Sequence, residues 1–140
     1  MNVLMLSPGY PAEMPEFTRG LAEVGATVIG VGDQPAGALP ETARRALAAY
    51  VQVRSLFDEQ AAVREVLAEL RGRRIDRVES NWEPLMLLAA RLREALGAPG
   101  LTVAETIPFR DKEQMKRVLD AAGIRTPRHV AATTAAQCWE

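Results

Sequence analysis

Short β-prone runs alternate with helical segments along most of the chain, and this alternation limits the folds that the chain can adopt. Between the runs, apolar residues recur at the three- and four-residue spacing of amphipathic helices. Strands that alternate with helices form mostly parallel sheets joined by right-handed crossovers. We therefore predict a three-layer, doubly wound α/β domain with strands at Asn2–Leu6, Thr27–Val31, Tyr50–Val53, Ile75–Glu79 and Leu101–Ala104.

Helix signals in the same region indicate core residues and helix ends. Gly25 is placed to end the first helix, and Ser55 with Asp58 has the spacing of a capping box. Pro84 suits the first turn of a later helix, which Gly97 would end. The first helix is predicted to face the sheet with the apolar stripe Met14, Phe17, Leu21 and Val24.

The pattern changes after the fifth predicted strand. Thr106–Pro108 is a predicted connector, and Asp111 is placed to cap the next helix. A further strand is predicted at Arg128–Ala132 and a short helix at Ala135–Glu140. The sequence therefore predicts the beginning of a second, different fold.

We divide the sequence into two predicted domains, residues 1–107 and residues 108–140. The first contains the whole α/β pattern, and the second contains one helix and the elements after it. A final helix of barely one turn is not stable by itself. We therefore expect either a fragment of a longer protein or one piece of a larger assembly.

Composition and charge exclude several classes of protein. Hydrophobic residues make up 48% of the chain and charged residues 25%, and the net charge is −1. The net charge argues against a nucleic-acid partner. No apolar run approaches the roughly 20 residues of a membrane span. The one cysteine, Cys138, and the one histidine, His129, offer no disulfide, zinc site or nucleophile–base pair. We expect a cytoplasmic location, no metal site and no catalytic residue in this chain.

Candidate binding residues follow the first and fourth predicted strands, because ligands of open parallel sheets bind beyond the carboxyl ends of the strands. The first strand runs into a turn in which Gly9 permits close backbone approach. Trp82 follows the fourth strand, and its alternative role is a core residue or an interface residue. Asp33 follows the second strand without a glycine fingerprint, so we expect a solvated loop residue there. The candidates are the turn residues Ser7, Gly9 and Tyr10, with Glu79, Trp82 and Glu83.

Cations at the start of the second domain's helix are a separate signal. Arg110 and Lys112 lie at the predicted helix start, where a positive charge opposes the helix dipole. A bound phosphate would offset that local cost. The alternative is a solvated surface charge.

Residues 110–129 contain Asp111-Lys112, then a predicted helix, and then Ala122-Gly123-Ile124 and Thr126-Pro127. This segment resembles the ATP-grasp superfamily, in which biotin carboxylases and carbamoyl-phosphate synthetases have a similar pattern. In that family a Rossmann-like domain comes first, and a linker helix leads from it into the ATP-grasp fold.

The resemblance implies a ligase that uses ATP and Mg²⁺ to convert a carboxylate into an acyl phosphate, which a nitrogen or sulfur nucleophile attacks. Residues 1–107 would be the pre-ATP-grasp domain, and residues 108–140 the linker helix and the truncated start of the ATP-grasp fold. Lys112 and Arg110 would approach the nucleotide phosphates, while Glu79 and the Ser7–Tyr10 turn would face small-molecule substrates. Because the family's later nucleotide and Mg²⁺ ligands would lie beyond Glu140, the chain alone is predicted to be inactive and to bind no cofactor strongly.

Two rival hypotheses remain open at this point. The opening residues Asn2–Pro11 also resemble the acceptor-binding domain of a GT-B glycosyltransferase. Alternatively, the chain is a non-catalytic assembly module completed by a second chain, with Ala135, Ala136 and Trp139 as the docking face. A homodimer is compatible with all of these hypotheses.

Overall fold

The computed structural model of the chain describes residues 1–129 and 131–139, and within this part four strands form one parallel sheet. The order across the sheet is β3-β2-β1-β4. In the register, Leu4 of β1 lies opposite Ile29 on one side and Val78 on the other. The predicted α/β fold class is confirmed, with β1 at Asn2–Leu6, β2 at Thr27–Gly32, β3 at Ala49–Gln52 and β4 at Arg77–Glu79.

Six α-helices accompany these strands in the described residues. They are α1 (Met14–Glu23), α2 (Glu41–Ala46), α3 (Glu59–Leu70), α4 (Met86–Leu96), α5 (Val103–Arg110) and α6 (Lys112–Ala121). Short 3₁₀ turns lie at Ala36–Ala38, Glu83–Leu85 and Ala136–Cys138. No helix of the described residues is long and apolar enough to cross a membrane.

The sheet separates two apolar layers, because successive side chains of a strand point to opposite faces. Leu4 and Leu6 of β1 belong to the larger cluster, which includes buried residues of α3 and α4. Met5 belongs to the smaller cluster together with Met14 of α1 and Val28 of β2. The two layers hold the carboxyl ends of the strands in fixed positions.

The predicted stripe of α1 is wrong at two of its four residues. Phe17 and Val24 are exposed, whereas Met14 and Thr18 are fully buried. Thr18 tolerates burial because its hydroxyl donates to the Met14 carbonyl oxygen at 2.8 Å. The buried face of the helix is therefore rotated towards Thr18, which a purely apolar pattern ignores.

Several predicted helix ends are confirmed, and one cap is wrong. Gly25 and Gly97 follow α1 and α4 with positive φ angles of 86° and 63°. The N-cap of α3 is Asp58, whose carboxylate accepts from the Ala61 backbone N–H at 3.0 Å. Ser55 instead accepts from the Phe57 N–H, so Ser55 and Asp58 do not form the predicted capping box.

The fifth predicted strand, Leu101–Ala104, is wrong, and Thr106–Pro108 is not a connector. Thr102 and Glu105 form a capping box that starts α5: the Glu105 carboxylate accepts from the Thr102 N–H at 2.9 Å, and the Thr102 hydroxyl accepts from the Glu105 N–H at 3.3 Å. This local signal overrides the strand propensity of the apolar residues around it. Helix α5 then continues through Pro108 to Arg110.

The chain divides into two compact units, Met1–Thr106 (unit 1) and Ile107–Glu140 (unit 2). Among the described residues of unit 2 none is buried, and the segment after α6 is held to that helix by polar contacts. The Lys116 ammonium, for example, donates to the Pro127 carbonyl oxygen at 2.9 Å.

Two predicted elements of unit 2 are wrong in the residues that the structure describes. The predicted strand Arg128–Ala132 is irregular in its described positions, with Val130 outside them. Of the predicted helix Ala135–Glu140, the structure has only the 3₁₀ turn Ala136–Cys138, and Glu140 lies outside the described residues. Neither segment has a buried described residue that would fix it by packing.

Candidate functional site

The sheet reverses its winding direction between β1 and β4. From β1 the chain proceeds to its neighbour β2 and on to β3, and it then returns across the sheet to β4 on the other side of β1. In open α/β sheets, the crevice beyond the carboxyl ends of two such strands is the usual ligand site. The loops that border this crevice are the ones after β1 and β4, which contain the predicted substrate residues.

The loop after β1 is closed by its own polar groups. The Ser7 hydroxyl donates to the Tyr10 carbonyl oxygen at 2.7 Å, and the Tyr10 N–H donates to the Ser7 carbonyl oxygen at 3.3 Å. Ser7 is buried and has a φ of 50°, a left-handed conformation that is uncommon outside glycine. These bonds fix the backbone from which the Tyr10 ring projects.

Gly9 is required by packing against the next loop. A Cβ atom at this position would lie 2.9 Å from Pro40 Cδ and 3.1 Å from Gln34 Nε2. The close backbone approach predicted for Gly9 is therefore an approach to the loop between β2 and α2. Its predicted contact with a substrate stays a prediction.

Three aromatic rings meet at this edge of the sheet, and we call Tyr10, Phe57 and Trp82 the aromatic cluster. The Tyr10 and Trp82 ring centroids are 4.9 Å apart and those of Phe57 and Trp82 are 5.7 Å apart, both pairs edge to face at 80°. Trp82 also packs against the larger core cluster, so its alternative role as a core residue is supported, while its contact with a substrate stays a prediction. The structure thus brings together two of the predicted substrate residues.

Phe57 was missed by the sequence analysis. It lies in the loop between β3 and α3, and its neighbours Leu56 and Asp58 belong to the core and the helix cap. A large apolar side chain in a loop just after a strand end was the available signal. Its meeting with Trp82 depends on the sheet order, which places these loops at one edge.

Glu79 occupies a different place from the aromatic cluster. It is the last residue of β4 and, with Ser80 and Arg93, lines a cavity of about 370 Å³ beside that strand. Ser80 also holds the loop, because its hydroxyl donates to the Trp82 carbonyl oxygen at 3.2 Å. Glu83 is exposed in the first position of the 3₁₀ turn that precedes α4.

Asp33 and Tyr50 connect further loops of the same edge. The Asp33 carboxylate accepts from the Leu56 backbone N–H at 3.2 Å, and the Tyr50 hydroxyl donates to the Gln34 carbonyl oxygen at 2.8 Å. Burial, together with the negative charge of Asp33, raises the pKa of Tyr50 to about 12. Asp33 is exposed, as predicted, yet it also has a structural role in holding the loop after β3.

The predicted phosphate-contacting residues lie at a junction of two helices. Asp111 caps α6 by accepting from the N–H groups of Glu113 and Gln114 at 2.9 and 3.1 Å, and the Gln114 bond lowers the pKa of Asp111. Lys112 is the exposed first residue of α6. Arg110, in contrast, ends α5, where the helix dipole favours a cation. The predicted electrostatic cost at a helix start therefore applies to Lys112 and is wrong for Arg110.

Metal-ligating side chains do not cluster in residues 1–129 and 131–139. No three His, Cys, Asp or Glu side chains of this part come close enough together to hold an ion.

Comparisons with known proteins agree with this geometry. The family described as the ATP-grasp N-terminal domain matches residues 22–100. A crystal structure of an L-amino acid ligase from Bacillus licheniformis matches 97% of this chain with 25% identity and a TM-score of 0.78. A crystal structure of phosphoribosylglycinamide synthetase from Anaerococcus prevotii matches 97% of the chain with 14% identity and a TM-score of 0.71.

This chain corresponds to only part of each of those proteins. It spans 34% of the amino acid ligase and 32% of the synthetase, about a third of their length. A comparison with curated proteins finds no match.

Proposed function

The chain belongs to the family of ATP-grasp N-terminal domains, and from this premise we propose that it is the substrate-side domain of an ATP-dependent ligase that joins an amino-acid carboxylate to an amine. The single observation that carries the substrate class is the 25% identical amino acid ligase, which the chain matches over 97% of its residues. The match to the ATP-grasp N-terminal domain family favours the ligase hypothesis over the GT-B glycosyltransferase.

The proposed reaction has two steps. A carboxylate oxygen attacks the γ-phosphorus of ATP, which gives an acyl phosphate and ADP. The amine then attacks the acyl carbon, phosphate leaves, and an amide forms. Mg²⁺ would supply charge neutralisation at the phosphates. Because the reaction consumes ATP, we place it in the cytoplasm.

The residues of this chain would bind and orient rather than react. Lys112 would contact the nucleotide phosphates from the start of α6, where its charge opposes the helix dipole. Arg110 would support it from the end of α5. Glu79 would bind the amine substrate, because the cavity that it lines adjoins the carboxyl end of β4.

The first test is an assay of the native protein that contains this chain. We expect ADP and phosphate to form only when amino acids are present, and added hydroxylamine to trap the acyl phosphate as a hydroxamate. The 140-residue chain alone should release no ADP. If the native protein turns over no ATP with any amino-acid pair, the ligase proposal is wrong and the assembly module becomes the better hypothesis.

Two substitutions separate the proposed roles. Lys112→Ala should raise the KM for ATP or lower kcat by at least about tenfold, which is about 1.4 kcal/mol. Lys116→Ala is the matched control, because it removes the same charge one helical turn later from a side chain that already bonds to Pro127. Glu79→Gln should raise the KM for the amine substrate more than that for ATP, and the reverse pattern would refute its assignment.

A further inference from the structure

We propose that the aromatic cluster of Tyr10, Phe57 and Trp82 selects amino-acid substrates with apolar side chains, an inference that rests on the proposed ligase function. The cluster would form one wall of the substrate site. The side chain of the substrate amino acid would lie against the rings, while its reacting carboxylate or amine would lie outside the cluster.

The exposure of the rings is the first argument. Tyr10 is 56% exposed and Phe57 is 63% exposed, although each ring contacts Trp82. Side chains that only fill a core are buried, and Leu85 and Leu88, which follow Trp82 in the sequence, are examples. The cluster therefore leaves apolar ring surface exposed to solvent at the sheet edge, as ligand-binding surfaces do.

The position of the cluster is the second argument. Tyr10 and Trp82 belong to the two loops that border the crevice where the sheet reverses direction, and Phe57 comes from a third loop at the same edge. Phe17 of α1, in contrast, is an exposed ring that takes part in neither of these two ring pairs.

The rigidity of the loops is the third argument. Ser7 closes the Tyr10 loop with its hydroxyl, and Ser80 closes the Trp82 loop in the same way. The loop of Phe57 is held at both sides, by the Asp33 carboxylate and by the Asp58 helix cap. A surface ordered before binding loses little entropy when a side chain settles on it.

The apolar faces and edges of the three rings fit an apolar occupant, and a cationic side chain is its competitor. Aromatic rings also attract cations, so a lysine-like side chain is the competing occupant. Such a cation would need a nearby carboxylate to offset its lost hydration. The carboxylates of Asp33 and Asp58 bind the Leu56 and Ala61 N–H groups, and the test therefore includes lysine as the competing substrate.

The test measures kcat/KM in the native protein for a series of amino acids: glycine, alanine, valine, leucine, phenylalanine and lysine. Phe57→Ala and Tyr10→Ala should each lower kcat/KM for leucine and phenylalanine by about tenfold or more, the range for apolar contacts in a pocket. Glycine, which has no side chain to contact the rings, should be unaffected. Compared with Phe57→Ala, Phe57→Leu should restore part of the preference for leucine and phenylalanine over glycine.

Phe17→Ala is the matched control, because it truncates a ring of similar exposure on α1. It should leave the whole series unchanged. Equal losses for glycine and leucine, or a loss confined to lysine, would overturn the inference while the ligase function stands. A wild-type protein that turns over no amino acid would overturn both.

Discussion

Units 1 and 2 use the same kinds of local helix signal but differ in what stabilises their helices. Helices α3 and α6 both begin with an aspartate N-cap. Residues of α3 then enter the larger core cluster, whereas no residue of α6 is buried. The comparison shows that capping defines where a helix starts, while burial of an apolar face determines how strongly the helix is held.

Unit 2 nevertheless has an amphipathic helix with an apolar side. Val118 of α6 and Ile124 after it are more than half exposed, while Glu113 forms an ion pair with Arg117 and lies 3.5 Å from the His129 Nε2 atom. Exposed ion pairs contribute little to stability. We therefore expect unit 1 to determine the global unfolding of the chain and α6 to open more readily.

The largest expected effect comes from the core of unit 1. Leu4→Ala removes a fully buried side chain of a central strand and should lower the free energy of unfolding by about 2–5 kcal/mol. Val118→Ala in α6, at a position 54% exposed, should change it by less than about 0.5 kcal/mol. Urea unfolding of the two variants checks the contrast. Similar losses would show that α6 is part of the cooperative core.

A second prediction tests the packing at the carboxyl end of β2 in unit 1. In Gly32→Ala the new Cβ would lie 2.3 Å from the Tyr50 hydroxyl oxygen, so we expect a loss of about 1–3 kcal/mol by overpacking. Gly20→Ala in α1 is the control, because its Cβ would have open space. Combining Gly32→Ala with Tyr50→Phe should recover part of the lost stability, measured by thermal or urea unfolding. If the double variant recovers nothing, the loss does not come from contact with the Tyr50 hydroxyl.

Removing the two aspartate caps compares the units directly. Asp58→Ala should lower the global free energy of unfolding by about 1 kcal/mol, because α3 unfolds with the core. Asp111→Ala should leave that quantity unchanged and instead accelerate hydrogen exchange of the α6 amides. If Asp111→Ala lowers global stability as much as Asp58→Ala, the distinction between the units fails.

The smallest effect is a pH dependence of α6. The Gln114 N–H holds the pKa of Asp111 below its ordinary value of 3.8. A lowered folded-state pKa gives a stabilisation that is complete above the ordinary value and is lost as the pH falls through the lower, folded value. Hydrogen exchange of α6 should therefore accelerate in that window. Asp111→Asn, which still caps but carries no charge, should remove this dependence.

Strand positions and helix ends were predictable wherever one local signal dominated. Residues 3–6 form an uninterrupted apolar run within Asn2–Leu6, which became β1 as predicted, while Gly25 and Gly97 end helices as predicted. At Leu101–Ala104 two local signals compete. The Thr102–Glu105 capping box was readable in the sequence, and its hydrogen bonds outweigh the strand propensity.

The candidate site was predictable as a sheet edge, but its internal arrangement was not. Ser7, Tyr10 and Trp82 were identified because they follow strand ends, which is a property of local order in the chain. Phe57 joins the aromatic cluster, and Glu79 lines a separate cavity beside β4. Both results depend on which loops the sheet places side by side.

The sequence by itself determined the α/β class, the ends of α1 and α4 and the strand ends at which Tyr10 and Trp82 lie, because backbone propensity and capping act between neighbours in the chain. Only the tertiary structure decided that α1 buries Thr18 rather than Phe17, and that Tyr10, Phe57 and Trp82 touch. The physical reason is that burial and ring contacts depend on the strand order β3-β2-β1-β4, which the packing of all the elements together selects.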